Sequence, residues 1–484
     1  MEVDLLSRIQ FALTAGFHFL FPPISIGLGL FIVIVEAMWI RSGDATFRRA
    51  AQFFLKLFAV IFAVGVVTGI VLEFEFGTNW PIYSNFVGDV FGSPLAIEAL
   101  FAFFMESVFL GIALWGWDKV GRNAHFASTV LMCVGAHLSA VWIIAANSFM
   151  QTPAGFELEF LNPSTGVAET LAAGAVPTAA QIASTRAVIT DFWDMALNAS
   201  MMDRLLHTIS ASWLCGAFFA LGVCGWIILK GKKVSFVKPC AVAAIIYATL
   251  SMFFMFFTGH SSARLLASTQ PEKLSAFEGH YNTSQNAPLY IFGWVDEDKR
   301  EVTGLKADGL FSLLAFGAFD KEVKGLNELP SDDFLRKIYP QASALELQNV
   351  RPQYWAPVNF SFQTFRLMVY LGCGICFFTL WGLWLWFVKK LFDTDYKWTR
   401  LFWICSLFSV LMPLLASQFG WAAAEVGRQP WIVWHVLKTC DAVTTTAQAS
   451  EIMFSIVLFT VVFTLIAVVA VGVLFKKIRA VEED

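Results

Sequence analysis

Long apolar stretches alternate along the chain with short polar connections. Nine of them reach the roughly 20 residues that an α-helix needs to cross the hydrocarbon core of a bilayer. Their limits are 11–40, 51–74, 94–117, 124–150, 204–229, 239–258, 360–388, 401–420 and 451–475. The pattern predicts an all-α integral membrane protein with about nine transmembrane helices. Pro22 and Pro23 lie inside the first run and predict a kinked or tilted helix there, because proline removes a helix hydrogen bond. The start, MEVDLLSRIQ, has neither the basic segment nor the small-residue cleavage site of a secretion signal, so the first run is expected to persist as a span.

The polar connections differ in charge. The first, third, fifth and seventh contain Arg41, Arg48 and Arg49; Lys119 and Arg122; Lys230, Lys232, Lys233 and Lys238; and Lys389, Lys390, Lys397 and Arg400. Lys476, Lys477 and Arg479 lie in the tail, whereas the second connection, 75–93, has no Lys or Arg. Successive spans alternate sides and cytoplasmic loops collect positive charge. The N-terminus is therefore expected outside and the C-terminus inside. Two outer segments, 151–203 and 259–359, are too long to be turns, and the charged run VDEDKREV in the second suggests a folded extramembrane piece. The expected organisation is 1–258 with six helices and the insertion 151–203, then the outer loop 259–359, then 360–484 with three helices and a short cytoplasmic tail.

Composition agrees: 57% of the chain is apolar and 14% charged, against about 25% charged in ordinary soluble proteins. A net charge of −4 without any Lys/Arg-rich arm argues against a nucleic-acid partner. Of eight cysteines, Cys133, Cys215, Cys224, Cys373, Cys376 and Cys405 lie in apolar runs, where a free thiol packs as a small hydrophobe. Cys373 and Cys376 form a CxxC pair, but with no second pair or neighbouring His it is read as packing.

Ionisable groups inside spans are costly unless paired or ligated, and each is a functional candidate. They are His18, Glu73, Glu75, Glu98, Glu106, His207 and Arg366, joined by Met368 and, after the eighth span, Glu425 and Arg428. In the expected topology His18, Glu98, His207, Met368 and Glu425 fall near outer helix ends. His and Met are axial ligands of low-spin heme, a carboxylate is a weak ligand for high-spin iron, and Arg pairs with heme propionates. The set suits more than one heme, and the lack of CxxCH excludes c-type attachment. Glu98 and Glu106 are eight residues apart, on one helix face and about 12 Å along its axis. Glu106, the deeper, reads as a proton relay and Glu98 as its delivery point, with Ser107 and Ser139 placed to hold water. Taken singly, the same residues have plainer readings. A lone His bonds a carbonyl or bridges helices, Glu73 and Glu75 reach the outer surface, Met368 packs, and Arg428 anchors at headgroups.

Six segments then resemble a known family over nearly the whole chain: RIQFALTAGFHFLFPP at 8–23, FGTNW at 76–80, SPLAIEALFAFFMES at 93–107, LSAVWIIAAN at 138–147, FRLM at 365–368 and GWAAAEVGRQPW at 420–431. They resemble subunit I of cytochrome bd-type quinol oxidases. The resemblance implies a terminal oxidase of the bacterial cytoplasmic (inner) membrane, which oxidises quinol outside and reduces dioxygen to water with protons from the cytoplasm, building a gradient without pumping. It implies a low-spin heme b on His207 and Met368 beside Arg366, a heme d on His18 and a high-spin heme b on Glu425. The two high-spin positions are exchanged among relatives, and heme b in all three sites is the alternative. It further implies Glu98 as the carboxylate facing the oxygen-binding iron, Glu106 on the proton path, Trp421 between hemes, and Arg8 and Arg428 as propionate partners. Lys273 and Glu278, five apart on an expected helix turn, match quinol-binding residues of the loop's short form. Implied partners are subunit II, a small single-span subunit, quinol, dioxygen and membrane lipid. Three features depart from the family: a longer 151–203 segment, Glu75 in place of Gln, and His260 in place of an acid. A proton-coupled transporter or a heme-bearing electron-transfer anchor are the competing classes; the first predicts no heme and a midplane site, the second leaves His18 and Glu98 without a task.

Overall fold

The computed structural model describes residues 3–483 apart from 163 and 173. Among the described residues, eight helices are long and apolar enough to span a membrane, and a ninth span is a bent pair. The first run is two helices, α1 (Val3–His18) and α2 (Pro22–Ser42). Pro22 and Pro23 lack the N–H groups that would continue the ladder, so Leu20 and Phe21 turn back onto Phe17 and His18 (3.2 and 3.1 Å). α2 ends on Gly43, left-handed at φ 70°, and α3 (Ala45–Thr78) starts on Asp44, whose carboxylate accepts from the Thr46 N–H (2.8 Å). Next come α4 (Pro81–Phe86) and α5 (Gly88–Ile97), then a π-helical turn over Glu98–Phe103, α6 (Phe104–Trp115) and α7 (Arg122–Gln151).

The 151–203 insertion holds an antiparallel sheet ordered β2-β1-β3, from β1 (Phe156–Leu161), β2 (Ala168–Thr170) and β3 (Thr185–Ile189), with two short helices, α8 (Ala179–Ile182) and α9 (Phe192–Ala196). Leu158, Ala187 and Met195 pack on Tyr83, Phe86 and Val90, so the insertion packs over α4 and α5. Two spans follow, α10 (Met201–Leu229) and α11 (Val237–Thr269). The latter continues as helix to Thr269, so the outer loop begins some ten residues later than its composition suggested.

That loop contains α12 (Pro271–Glu278), β4 (Ser284–Gln285), β5 (Leu289–Asp296), β6 (Glu301–Ala307), α13 (Leu310–Phe316), β7 (Glu322–Val323), α14 (Asp332–Ile338) and α15 (Ala344–Val350). VDEDKREV is the tip of the β5–β6 hairpin, where the chain reverses with most of its side chains exposed. α16 (Val358–Phe387) is the seventh span. The eighth is α17 (Lys397–Ser409) bent by 41° into α18 (Leu411–Val426). Pro413 explains the bend, since it cannot donate to the Ser409 carbonyl. The helix runs past the expected end at 420, so Glu425 lies in its last turn rather than beyond it. The hairpin β8 (Trp431–Val433) and β9 (Leu437–Lys438) precedes α19 (Ala449–Arg479), the ninth span.

α10 forms the centre of the bundle. It crosses α2 at Gly27 and Gly216 so closely that a Cβ on Gly216 would lie 2.1 Å from the Gly27 carbonyl carbon, which only glycine permits. The basic connections meet at one end: Arg48 pairs with Asp118 (2.5 Å), and Lys232 donates to the Arg479 carbonyl (2.8 Å). Lys273, Gln151 and Glu425 meet elsewhere, where the loop and insertion lie.

Candidate functional site

Two histidines share one device. The His18 Nδ1 lies 2.9 Å from the Thr68 hydroxyl of α3, which itself donates to the Val64 carbonyl (2.9 Å). The His207 Nδ1 lies 3.2 Å from the Thr258 hydroxyl of α11, which donates to the Phe254 carbonyl (3.1 Å). A hydroxyl whose proton is committed to its own helix must accept, so Nδ1–H donates in both rings and Nε2 keeps a free lone pair. This is the tautomer a metal needs. His125 and His137 differ, with both ring nitrogens engaged: His125 by Glu36 (2.6 Å) and the Ala113 carbonyl (3.0 Å), His137 by the Cys133 carbonyl (2.8 Å) and the Trp213 indole (3.0 Å). Met368 on α16 approaches Gly420 of α18, where an added Cβ would stand 3.0 Å from the Met368 sulfur.

Glu425 is the centre of a polar cluster. Arg428 pairs with it at 2.5 Å and Arg204 stands 3.9 Å away, while Asn147 (3.3 Å) and Gln151 (3.2 Å) donate to it. Arg204 also donates to Asn147 and lies over the Trp421 ring at 5.6 Å. Trp421 in turn meets Phe19 edge-on at 5.4 Å, which joins this cluster to the helix end that carries His18. The Nε and Nη1 of Arg428 and the Nε of Arg204 are buried without a partner. Two guanidinium groups facing one carboxylate, with donors unfilled, suit a ligand that brings carboxylates of its own. With the two free imidazole nitrogens and Met368, this donor set fits heme.

Glu98 begins the π turn and accepts from Ser139 of α7, and Glu106 is buried on α6. Over eight residues an unbroken α-helix leaves two side chains about 80° apart; the extra residue of a π turn brings that down to about 20°. The π turn therefore aligns the two acids on the face toward α7 better than regular helix does. Ser107 donates to the Phe103 carbonyl of its own helix (2.8 Å). Glu73 is exposed as expected. Glu75 is not: it is 2% exposed and accepts from Thr14 (2.5 Å), because α1 covers that face of α3. Arg8 pairs with Asp4 at 3.9 Å.

Lys273 and Glu278 both lie on α12, but five residues turn them apart. Glu278 forms a buried two-point pair with Arg366, which also donates to the Tyr290 carbonyl (2.7 Å). Arg366, expected beside Met368, thus ties α16 to the loop. Lys273 donates to Gln151 (2.8 Å), and Gln151 reaches Glu425. Burial, with Arg204 and Arg428 nearby, holds the Lys273 ammonium well below the ordinary lysine range. Thr68, Thr258, Asn147, Gln151 and Arg204 escaped sequence reasoning. Polar residues flanking apolar runs were the only trace of them, and such residues usually satisfy their own helix.

The model of the cytochrome bd terminal oxidase subunit I family matches residues 6–482. The chain belongs to that family. Among similar curated members of the cytochrome bd family are cytochrome bd ubiquinol oxidase subunit 1 of Bacillus subtilis, 35% identical with 99% of this chain and 94% of that protein covered, and cytochrome bd-II ubiquinol oxidase subunit 1 of Escherichia coli, 31% identical with 99% and 96% covered. The solved bd oxidase of Geobacillus thermodenitrificans has the same fold, with TM-score 0.81, 28% identity and 99% and 98% of the two chains covered.

Proposed function

We propose that this chain is the heme-carrying core of its oxidase, with His207 and Met368 holding low-spin heme b, His18 holding heme d and Glu425 facing a high-spin heme b. Membership of the family makes it a multi-pass membrane subunit of a terminal quinol oxidase, an oxidoreductase that uses heme and works with a subunit II. The observation that carries the finer reading is the shared threonine device, which leaves Nε2 free on His18 and His207. Heme bound at these residues supplies the one-electron carriers and the oxygen-binding iron.

The residues do the rest. Thr68 and Thr258 fix ring orientation and tautomer, and Arg428 and Arg204 supply charge for propionates. Trp421 fills the space between the two groups. Quinol docks at the loop near α12, where the Glu278–Arg366 pair and Lys273 orient its oxygens. Glu106 and Glu98 bring protons from the basic, cytoplasmic side, and quinol protons leave on the opposite side, so turnover builds a gradient without a pump. The N-terminus lies outside, the membrane is the bacterial inner membrane, and a small single-span subunit completes the complex.

The test is a reduced-minus-oxidised spectrum of the purified complex with pyridine hemochrome analysis. Heme b with a far-red chlorin band and quinol-dependent oxygen uptake is the expected result. Heme b alone overturns the heme d assignment, and absence of heme overturns the reading.

A further inference from the structure

Outside the spans, α12 carries a second buried acid beside Lys273. Glu272 is 8% exposed; its Oε1 lies 3.6 Å from the His435 Nε2, and its Oε2 is buried without a hydrogen-bond partner. His435 sits between β8 and β9 in the left-handed region, φ 59°, where a non-glycine residue is uncommon. Its ring is held between Phe334 of α14 (4.0 Å) and Trp434 (4.8 Å), yet its side chain remains 29% exposed. A clamped imidazole therefore connects a buried carboxylate to water.

The three ionisable side chains at 272, 273 and 278 face three different neighbours. Glu278 is occupied by Arg366 and Lys273 by Gln151. Glu272 alone of the three has a free carboxylate oxygen and a partner open to solvent. Quinol oxidation gives up two electrons, which pass to the hemes and finally to dioxygen, and two protons, which need an acceptor with a way out. We infer that Glu272 and His435 are the exit for those protons. The Oε2 of Glu272 accepts a proton from the quinol side, His435 takes it at Nε2 and gives one up to water, and Glu272 returns to its carboxylate for the second. This rests on quinol being oxidised at α12.

The charged side chain that acts on the pair is Lys337 on α14, which faces His435, while Lys273, next along α12, is turned to Gln151. Burial pushes the Glu272 carboxyl up to about 7, and burial together with Lys337 brings His435 down to about 4. At neutral pH Glu272 is thus divided between its two forms and His435 is neutral, which suits a relay. As pH falls below about 7 Glu272 fills with protons and stops accepting, so quinol oxidation slows on that side.

The experiment uses the complete oxidase, with a short-chain quinol and with tetramethyl-p-phenylenediamine, which donates electrons without releasing protons. Glu272→Gln is expected to slow quinol oxidation about tenfold near pH 7 and to abolish the acid-side fall, with dye oxidation and the heme spectrum unchanged. His435→Ala is expected to behave alike and to recover with added imidazole. Unchanged quinol rate and pH profile in Glu272→Gln, or equal loss with both donors, overturns the exit. A quinone photolabel that attaches away from 271–278 in the unaltered enzyme overturns the docking site, and the exit with it, whatever the variants do.

Discussion

What a side chain can do here depends on what its other atoms are already doing. Seven histidines look alike in the sequence, and hydrogen bonding separates them: His125 and His137 are saturated, whereas His18 and His207 keep Nε2 free. Thr258→Val removes the acceptor that sets the His207 tautomer. Losing the hydrogen-bond partner behind a ligand costs about 10–100-fold in metal affinity, so the low-spin heme b band should fall on purification while other heme bands persist, read by difference spectroscopy. The Glu278–Arg366 pair is only 4% exposed on each side. Glu278→Gln leaves the guanidinium buried without a counter-charge, a change that costs about 3–5 kcal/mol in comparable sites. A lower melting temperature of the complex should accompany any loss of quinol oxidation; an unchanged one would contradict the pairing.

At the level of elements, the irregular segments matter most. The π turn over Glu98–Phe103 rotates Glu98 into line with Glu106 and toward Ser139. Inserting one alanine after Phe104, outside the π turn, should turn Glu98 by about 100° relative to Glu106. Oxygen uptake should then collapse while the low-spin heme b proposed for α10 and α16 still reduces, which a stopped-flow spectrum distinguishes. The α2–α10 crossing is equally strict. Gly216→Ala places a methyl within 2.1–2.6 Å of α2 backbone atoms that cannot rotate away. Overpacking costs about 1–3 kcal/mol where side chains yield, and backbone contact should reach at least that, seen as a lower melting temperature.

For the whole molecule, the arrangement is two-ended. Basic connections and the C-terminal tail gather at one end, and the loop, the insertion and the Glu425 cluster lie away from them. Cys440, exposed just after the β8–β9 hairpin, belongs to the end assigned to the outside. A membrane-impermeant maleimide applied to intact cells should label it, and Cys440→Ser should remove that label. Labelling only after the membrane is opened would invert the assigned topology.

The run lengths and the Lys/Arg bias already contained the number of spans and their expected direction, because a bilayer demands about 20 apolar residues per crossing and the charge bias reads loop by loop. Local chemistry was equally legible at Pro22–Pro23, which break the first run where the missing N–H groups predict. Other features needed residues distant in sequence to meet. Glu75 is buried because α1 packs over it, α18 carries Glu425 within its last turn, and VDEDKREV reverses as the tip of a hairpin. Lys273 and Glu278 part company because Gln151 and Arg366 arrive from opposite sides of α12. The candidate ligands His18 and His207 stood out because an ionisable group in lipid is expensive. Their readiness to bind, and the link from Glu272 to His435, depend on hydroxyls, guanidinium groups and rings brought from other helices, and no spacing along one strand of sequence encodes those contacts.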